Sequence, residues 1–129
     1  MFRPALIALG LLAAPALAQE VDCANTSVQM ELTFCAEQDW QAADAELNRV
    51  YKATMAAMTT MDRTLPPELQ GAATTLRDAQ RAWISFRDKN CTLAGYQMRG
   101  GSAEPLLIYG CLRQMTANRT AELQALTAY

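Results

Sequence analysis

Two stripes of polar and aromatic residues, each tied to a cysteine, constrain this chain more than any other feature. Cys35, Asp44, Asn48 and Tyr51 form the first as C-x8-D-x3-N-x2-Y; Gln80, Trp83, Arg87, Asp88 and Cys91 form the second as Q-x2-W-x3-R-D-x2-C. Steps of three and four residues put side chains on one face of an α-helix and on alternate faces of a strand. Both stripes therefore predict helices whose inward faces carry charged groups among aromatics. Nowhere does a period-two pattern compete, and there is no internal repeat or low-complexity tract. The expected fold class is all-α.

The first residues read as a leader. Arg3 supplies a positive charge, Ala5 to Ala14 an apolar run, and Ala16-Leu17-Ala18 a small-x-small cleavage signal. Residues 1–18 are expected to be a signal peptide cleaved near Ala18, with residues 19–129 forming one domain. The apolar run is too short to span a membrane, and no later stretch approaches the necessary length of about 18 residues. The nearest cysteine, Cys23, lies past the predicted cut rather than at it, so no lipid anchor is expected. The expected location is periplasmic or secreted.

Export places Cys23, Cys35, Cys91 and Cys111 in an oxidising compartment, where an even set of cysteines reads as disulfides. A zinc site competes poorly, because there is no C-x2-C pair and the chain has no histidine. Without histidine it also lacks the commonest general base and metal ligand. No cofactor and no enzymatic activity are expected. An acid–base pair of Asp44 and Asp88 is set aside, since cationic neighbours would lower rather than raise the pKa of Asp44.

Helix boundaries follow from punctuation. Thr26-x-x-Gln29 resembles a capping box, and the periodicity of Trp40, Asp44, Leu47, Tyr51, Met55 and Met58 extends a first helix from about Ser27 to Met61, roughly 50 Å long. Pro66 and Pro67 break it, and Pro67-Glu68 can open the next helix. That second helix runs through Leu69, Ala72, Leu76, Trp83, Phe86 and Asn90 to Ala94-Gly95. Arg99-Gly100-Gly101 is a loop; Ser102 is expected to cap a third helix burying Ile108, Leu112, Met115, Leu123 and Leu126. The first two helices form a long antiparallel hairpin turning near Arg63, with the third folded back. Cys35 and Cys91 then lie equally far from the turn, and all four thiols gather at one end. Three connectivities are sterically open. Cys23–Cys35 with Cys91–Cys111 is preferred, because closing shorter loops costs less chain entropy.

Charge is distributed unevenly. Residues 19–48 hold Glu20, Asp22, Glu31, Glu37, Asp39, Asp44 and Glu46 and no Lys or Arg, whereas the remainder carries ten basic and six acidic groups. Two explanations stand: these carboxylates complement the positive end of a helix, or they present negative potential to a cationic partner. Basic residues are scattered without a patch, which argues against nucleic acid.

The combined pattern, C-x11-C-x8-D-x3-N-x2-Y, then Q-x2-W-x3-R-D-x2-C, Gly-Gly-Ser, Cys111-Leu112 and Thr116-x2-Arg119, resembles the LprI-like lysozyme-inhibitor family of small exported bacterial proteins. The resemblance extends from residue 23 to residue 126. It implies a helical, disulfide-bonded, non-enzymatic protein that binds and inhibits lysozyme, a cationic muramidase. Unlike the lipoprotein members, this chain lacks a lipidated cysteine. The alternative is a periplasmic protein-interaction or envelope-stress module with a bacterial partner.

Candidate residues divide into two groups. Asp44 and Asn48 share a stripe with Trp40, Leu47 and Tyr51, so they are expected to face the interior and to pair with Arg87, Arg81 or Gln80 in a polar network that fixes helix register. A ligand-binding groove between helices is the competing reading. The candidate partner-binding residues are Glu31, Asp39 and Glu46, with Asp39 and Glu46 on one helix face, and the loop Arg99, Gly100, Gly101 and Ser102.

Overall fold

The computed structural model describes residues 20–128. The expected leader, residues 1–18, lies outside the described residues. Three helices and two short 3₁₀ turns follow one another: α1 (Gln29–Thr64), a 3₁₀ turn at Pro67–Leu69, α2 (Ala72–Gly95), a second 3₁₀ turn at Tyr96–Met98, and α3 (Glu104–Ala125). There are no strands among the described residues. The class is all-α: a long antiparallel hairpin of α1 and α2, with α3 packed most extensively along α1.

Two disulfides staple the fold, Cys23–Cys35 with a Cα–Cα distance of 5.7 Å and Cys91–Cys111 with 5.3 Å. Both lie in the half of the bundle away from the proline turn. Their levels differ by about one helical turn from the equal-distance expectation. Residues 65–71 are not α-helical, which moves α2 along α1 until Arg87 meets Asp44, and Cys91 then stands level with Trp40.

The core is divided along its length. Toward the proline turn, Leu47, Val50 and Met58 of α1 pack against Leu76 of α2 and Leu123 of α3, flanked by Tyr51, Met55 and Trp83. Toward the stapled end polar side chains join the interior: Gln80, Arg87, Thr116 and Thr120 are buried there along with Cys91 and Leu112. Threonines hold their places by bonding the helix that carries them. Thr54 donates to the Val50 carbonyl at 3.0 Å and also reaches the Leu123 carbonyl at 3.3 Å, and Thr120 donates to Thr116 at 3.0 Å. Gly95 completes the seam between α2 and α3, since a Cβ there would lie 2.7 Å from Cγ1 of Ile108. So few large apolar side chains are buried that the two staples must supply a large part of the stability.

Several expected details are corrected. The first helix starts at Gln29 and Val28 occupies its cap position without a side-chain cap. Thr26 forms no capping box with Gln29; its hydroxyl donates to Glu31 and accepts from the Val28 amide at 3.1 Å. Pro67-Glu68 opens a 3₁₀ turn rather than α2, leaving Leu69 exposed. The true cap of α2 comes from α1. Asp62 accepts the amides of Gly71 and Ala72 at 2.9 Å each and of Ala73 at 3.1 Å, and these backbone donors hold its carboxyl below the usual range. Ser102 does not cap α3, where Ala103 stands at the cap position, and Leu126 is half exposed instead of buried.

Candidate functional site

At the stapled end, residues 20–28 fold back over the start of α1. Asp22 organises this segment, accepting the Ala24 amide at 3.1 Å and the Asn25 side chain at 2.7 Å; the Asn25 bond, with Ala24 second, draws its carboxyl down. Glu31 takes the Thr26 hydroxyl and so fastens the same segment to the first turn of α1.

The loop between α2 and α3 is held by one carboxylate. Glu104 accepts the Gly100 amide at 2.8 Å and Arg99 Nη1 at 2.5 Å, and these two donors, Gly100 first, pull its carboxyl below the usual range. Arg99 also lies over the Tyr96 ring, 4.6 Å from its centroid. Gly100 has φ +77°, a left-handed conformation that a side chain would strain, so the Gly-Gly pair answers a backbone requirement. Ser102 is exposed and, with Pro105, faces Val28, Met30 and Thr33 across an open groove of about 520 Å³. Val28 and Met30 are exposed apolar residues on its α1 side.

The acidic candidates do not form one patch. Glu31 lies in the first turn of α1, bonded by Thr26, and Asp39 is exposed two turns further along the helix. Glu46 is about 22 Å from Glu31 along the helix and is engaged by Arg49, whose guanidinium bonds both carboxylate oxygens at 2.6 and 2.7 Å and lowers the Glu46 pKa. Glu20, Asp22, Glu31, Glu37 and Asp39 form no ion pair among the described residues. Negative charge is therefore concentrated at the stapled end.

The second group of candidates forms a seam through the interior. Arg87 is buried and donates to Asp44 at 3.2 Å, to Asp88 at 2.9 Å and to Thr116 at 3.3 Å, while its guanidinium lies 5.1 Å from the Trp83 ring centroid and 6.0 Å from that of Trp40. Asn48 donates to Asp44 at 3.1 Å. Asp44 and Asn48 are corrected in position: the Asp44 side chain is 38% exposed and Asn48 is exposed, so the buried member is the cation. Gln80 is not joined to Asp44. It accepts from Arg119 Nε at 3.0 Å, and the Arg119 guanidinium lies 5.9 Å from the Trp83 ring centroid and pairs with Glu122 at 2.8 Å. Trp83 thus lies beside two arginines, Arg87 tying α2 to both α1 and α3 and Arg119 tying α3 to α2. Trp40 stacks on Tyr109 at 5.7 Å, and burial, together with nearby Glu37, raises the Tyr109 pKa.

Asp62, Glu104, Thr116 and Arg119 do structural work that the sequence pattern left unassigned. Asp62 and Glu104 stand beside helix breaks, but the backbone donors they accept from, Gly71 to Ala73 and Gly100, are set by the course of the loops. Arg119 and Thr116 stand in the family pattern, and only packing shows that they meet Gln80 and Arg87. In chemical terms the carboxylates of the seam face arginines, and among the described residues no three His, Cys, Asp or Glu side chains are grouped to hold a metal.

These observations define a class: a small three-helix protein with two staples, an arginine-centred seam in place of a full apolar core, and a rigid loop at the stapled end. The model of the family described as "Lysozyme inhibitor LprI" matches residues 22–123, and the chain belongs to that family. It is similar to an uncharacterized protein of Rhizobium meliloti (strain 1021), 50% identical over 128 residues that cover 95% of this chain and 92% of the relative. No solved structure matches it. Among the described residues no helix is long and apolar enough to cross a membrane.

Proposed function

We propose that this protein is an exported, non-enzymatic inhibitor that binds lysozyme stoichiometrically. Family membership over residues 22–123 carries the reading. The stapled end supplies a physical mode for it. Lysozyme is cationic, and the carboxylates of residues 20–39 would steer it toward this end of the molecule. Close contact would come from Arg99, Gly100, Gly101 and Ser102, a loop that Glu104 holds in one conformation before binding, so that little ordering entropy is lost on association. Val28 and Met30 beside Ser102 offer apolar contact at the same place.

In this account residues 1–18 direct export and are removed near Ala18, residues 19–129 act as one domain in the periplasm or outside the cell, and the two disulfides suit that compartment. The polar seam serves as scaffold: Asp44, Asn48, Gln80 and Arg87 fix the register of the helices that carry the loop. The test is a turbidity assay in which purified protein is added to lysozyme acting on cell walls at increasing salt. Inhibition that saturates near one protein per lysozyme and weakens with salt supports the proposal. Unchanged lysis throughout the titration overturns it.

A further inference from the structure

We propose that the groove between α1 and α2, beside the polar seam and away from the stapled loop, binds a small organic anion whose carboxylate or phosphate group is held by Arg77, Arg81 and the amide of Gln80. The groove has a volume of about 500 Å³, suited to a small molecule, and among the described residues no carboxylate lines it. Arg77 and Arg81 stand one turn apart on α2, both exposed and neither ion-paired among the described residues. Like charges at this spacing repel, and an anion held between them would relieve that repulsion.

Gln80 gives the second, independent observation. Its residue is only 7% exposed, yet it lines the groove. The Arg119 guanidinium donates to Oε1 at 3.0 Å, which fixes which end of the amide is which and leaves Nε2 as a donor with no protein hydrogen bond among the described residues. Two guanidinium forks and the free Nε2 donor of a largely buried glutamine line one space, the donor set that a carboxylate or a phosphate accepts from. Apolar flanks from Met55 and Ile84, with Ile84 40% exposed, fit a ligand carrying a short hydrocarbon part next to its charged group.

The experiment follows side-chain and backbone resonances of the purified protein by NMR during titration with hexanoate and, separately, hexyl phosphate, at constant ionic strength set by chloride. Saturable shifts of the Gln80 side-chain amide and the Arg77 and Arg81 Nε groups are expected with at least one probe. Preference for hexyl phosphate would assign the phosphate source, and preference for hexanoate the carboxylate source. The double variant Arg77→Gln, Arg81→Gln should melt like the parent and bind about tenfold or more weakly. No saturable shift with either probe up to about 10 mM, or the same affinity in the double variant, overturns the proposal. Because this groove shares no residue with the stapled loop, lysozyme inhibition by the double variant reads separately.

Discussion

Arg87 on α2 lies buried against Trp83 while donating to the half-exposed Asp44 of α1 at 3.2 Å, so the long hairpin is locked by a cation largely shielded from water and an anion open to it. Removing either partner should therefore have unequal effects. Asp44→Ala leaves Arg87 paired with Asp88 and should cost about 1 kcal/mol. Arg87→Ala removes the bonds to both helices and the packing between two tryptophans, and should cost about 3 kcal/mol. Urea denaturation of the two variants measures this; equal losses would contradict a seam centred on Arg87.

Both staples should form in material exported to an oxidising compartment. Mass spectrometry of peptides cut without reduction should find Cys23 joined to Cys35 and Cys91 joined to Cys111, with no free thiol. Replacing Cys91 and Cys111 together by Ala, which opens a link between residues 20 apart, should cost about 3 kcal/mol. A crossed pairing would contradict the described packing of α2 on α3.

Asp62 should make the proline turn sensitive to acid. Its carboxyl is depressed in the folded state by three backbone donors, so its stabilising effect is present above the ordinary aspartate pKa and is lost as pH falls through the lower folded value. Asp62→Asn should lower the melting temperature at neutral pH, and its difference from the parent should shrink in acid. Melting curves from pH 7 to pH 2 follow it; a difference that stays constant across this range would contradict the capping role.

Periodicity and punctuation made most of the fold legible. The two polar stripes placed α1 and α2, Pro66-Pro67 placed the break, and loop length favoured the observed disulfide pairing over its alternatives. What stayed hidden depends on contacts between segments. No local pattern tells that Asp62 caps a helix nine or more residues away, or that Gln80 turns to Arg119 instead of Asp44. Buried threonines escaped as well, because an apolar-periodicity reading cannot see a hydroxyl whose polarity is absorbed by its own helix carbonyl. Ser102 failed as a cap for a related reason: Glu104 reaches back and bonds the loop itself, and the chain enters α3 through Ala103.

The loop and the acidic end should separate kinetically. Neutralising Glu31 and Asp39 should slow association with lysozyme several-fold at low salt, with little effect on dissociation. Glu46→Gln should matter less, since it lies more than two Debye lengths of about 8 Å from Glu31 at physiological salt. Glu104→Gln weakens the hold on Arg99 and Gly100 and should speed dissociation instead. Because the Glu104 carboxyl is depressed, loop order is maintained above the usual carboxylate range and is lost as pH falls through the lower folded pKa. Equal effects of all these changes on the two rates would contradict the division of labour.

The central claim is a specific complex with lysozyme. Surface-based kinetics with chicken-type, goose-type and invertebrate-type lysozymes, each at two salt concentrations, tests it most directly. The account predicts a saturable one-to-one complex with at least one of them, with an association rate that falls as salt rises and a dissociation rate that increases when the Gly100-Gly101 turn is lengthened. No detectable complex with any of the three at micromolar protein would contradict it and favour a periplasmic module with a bacterial partner.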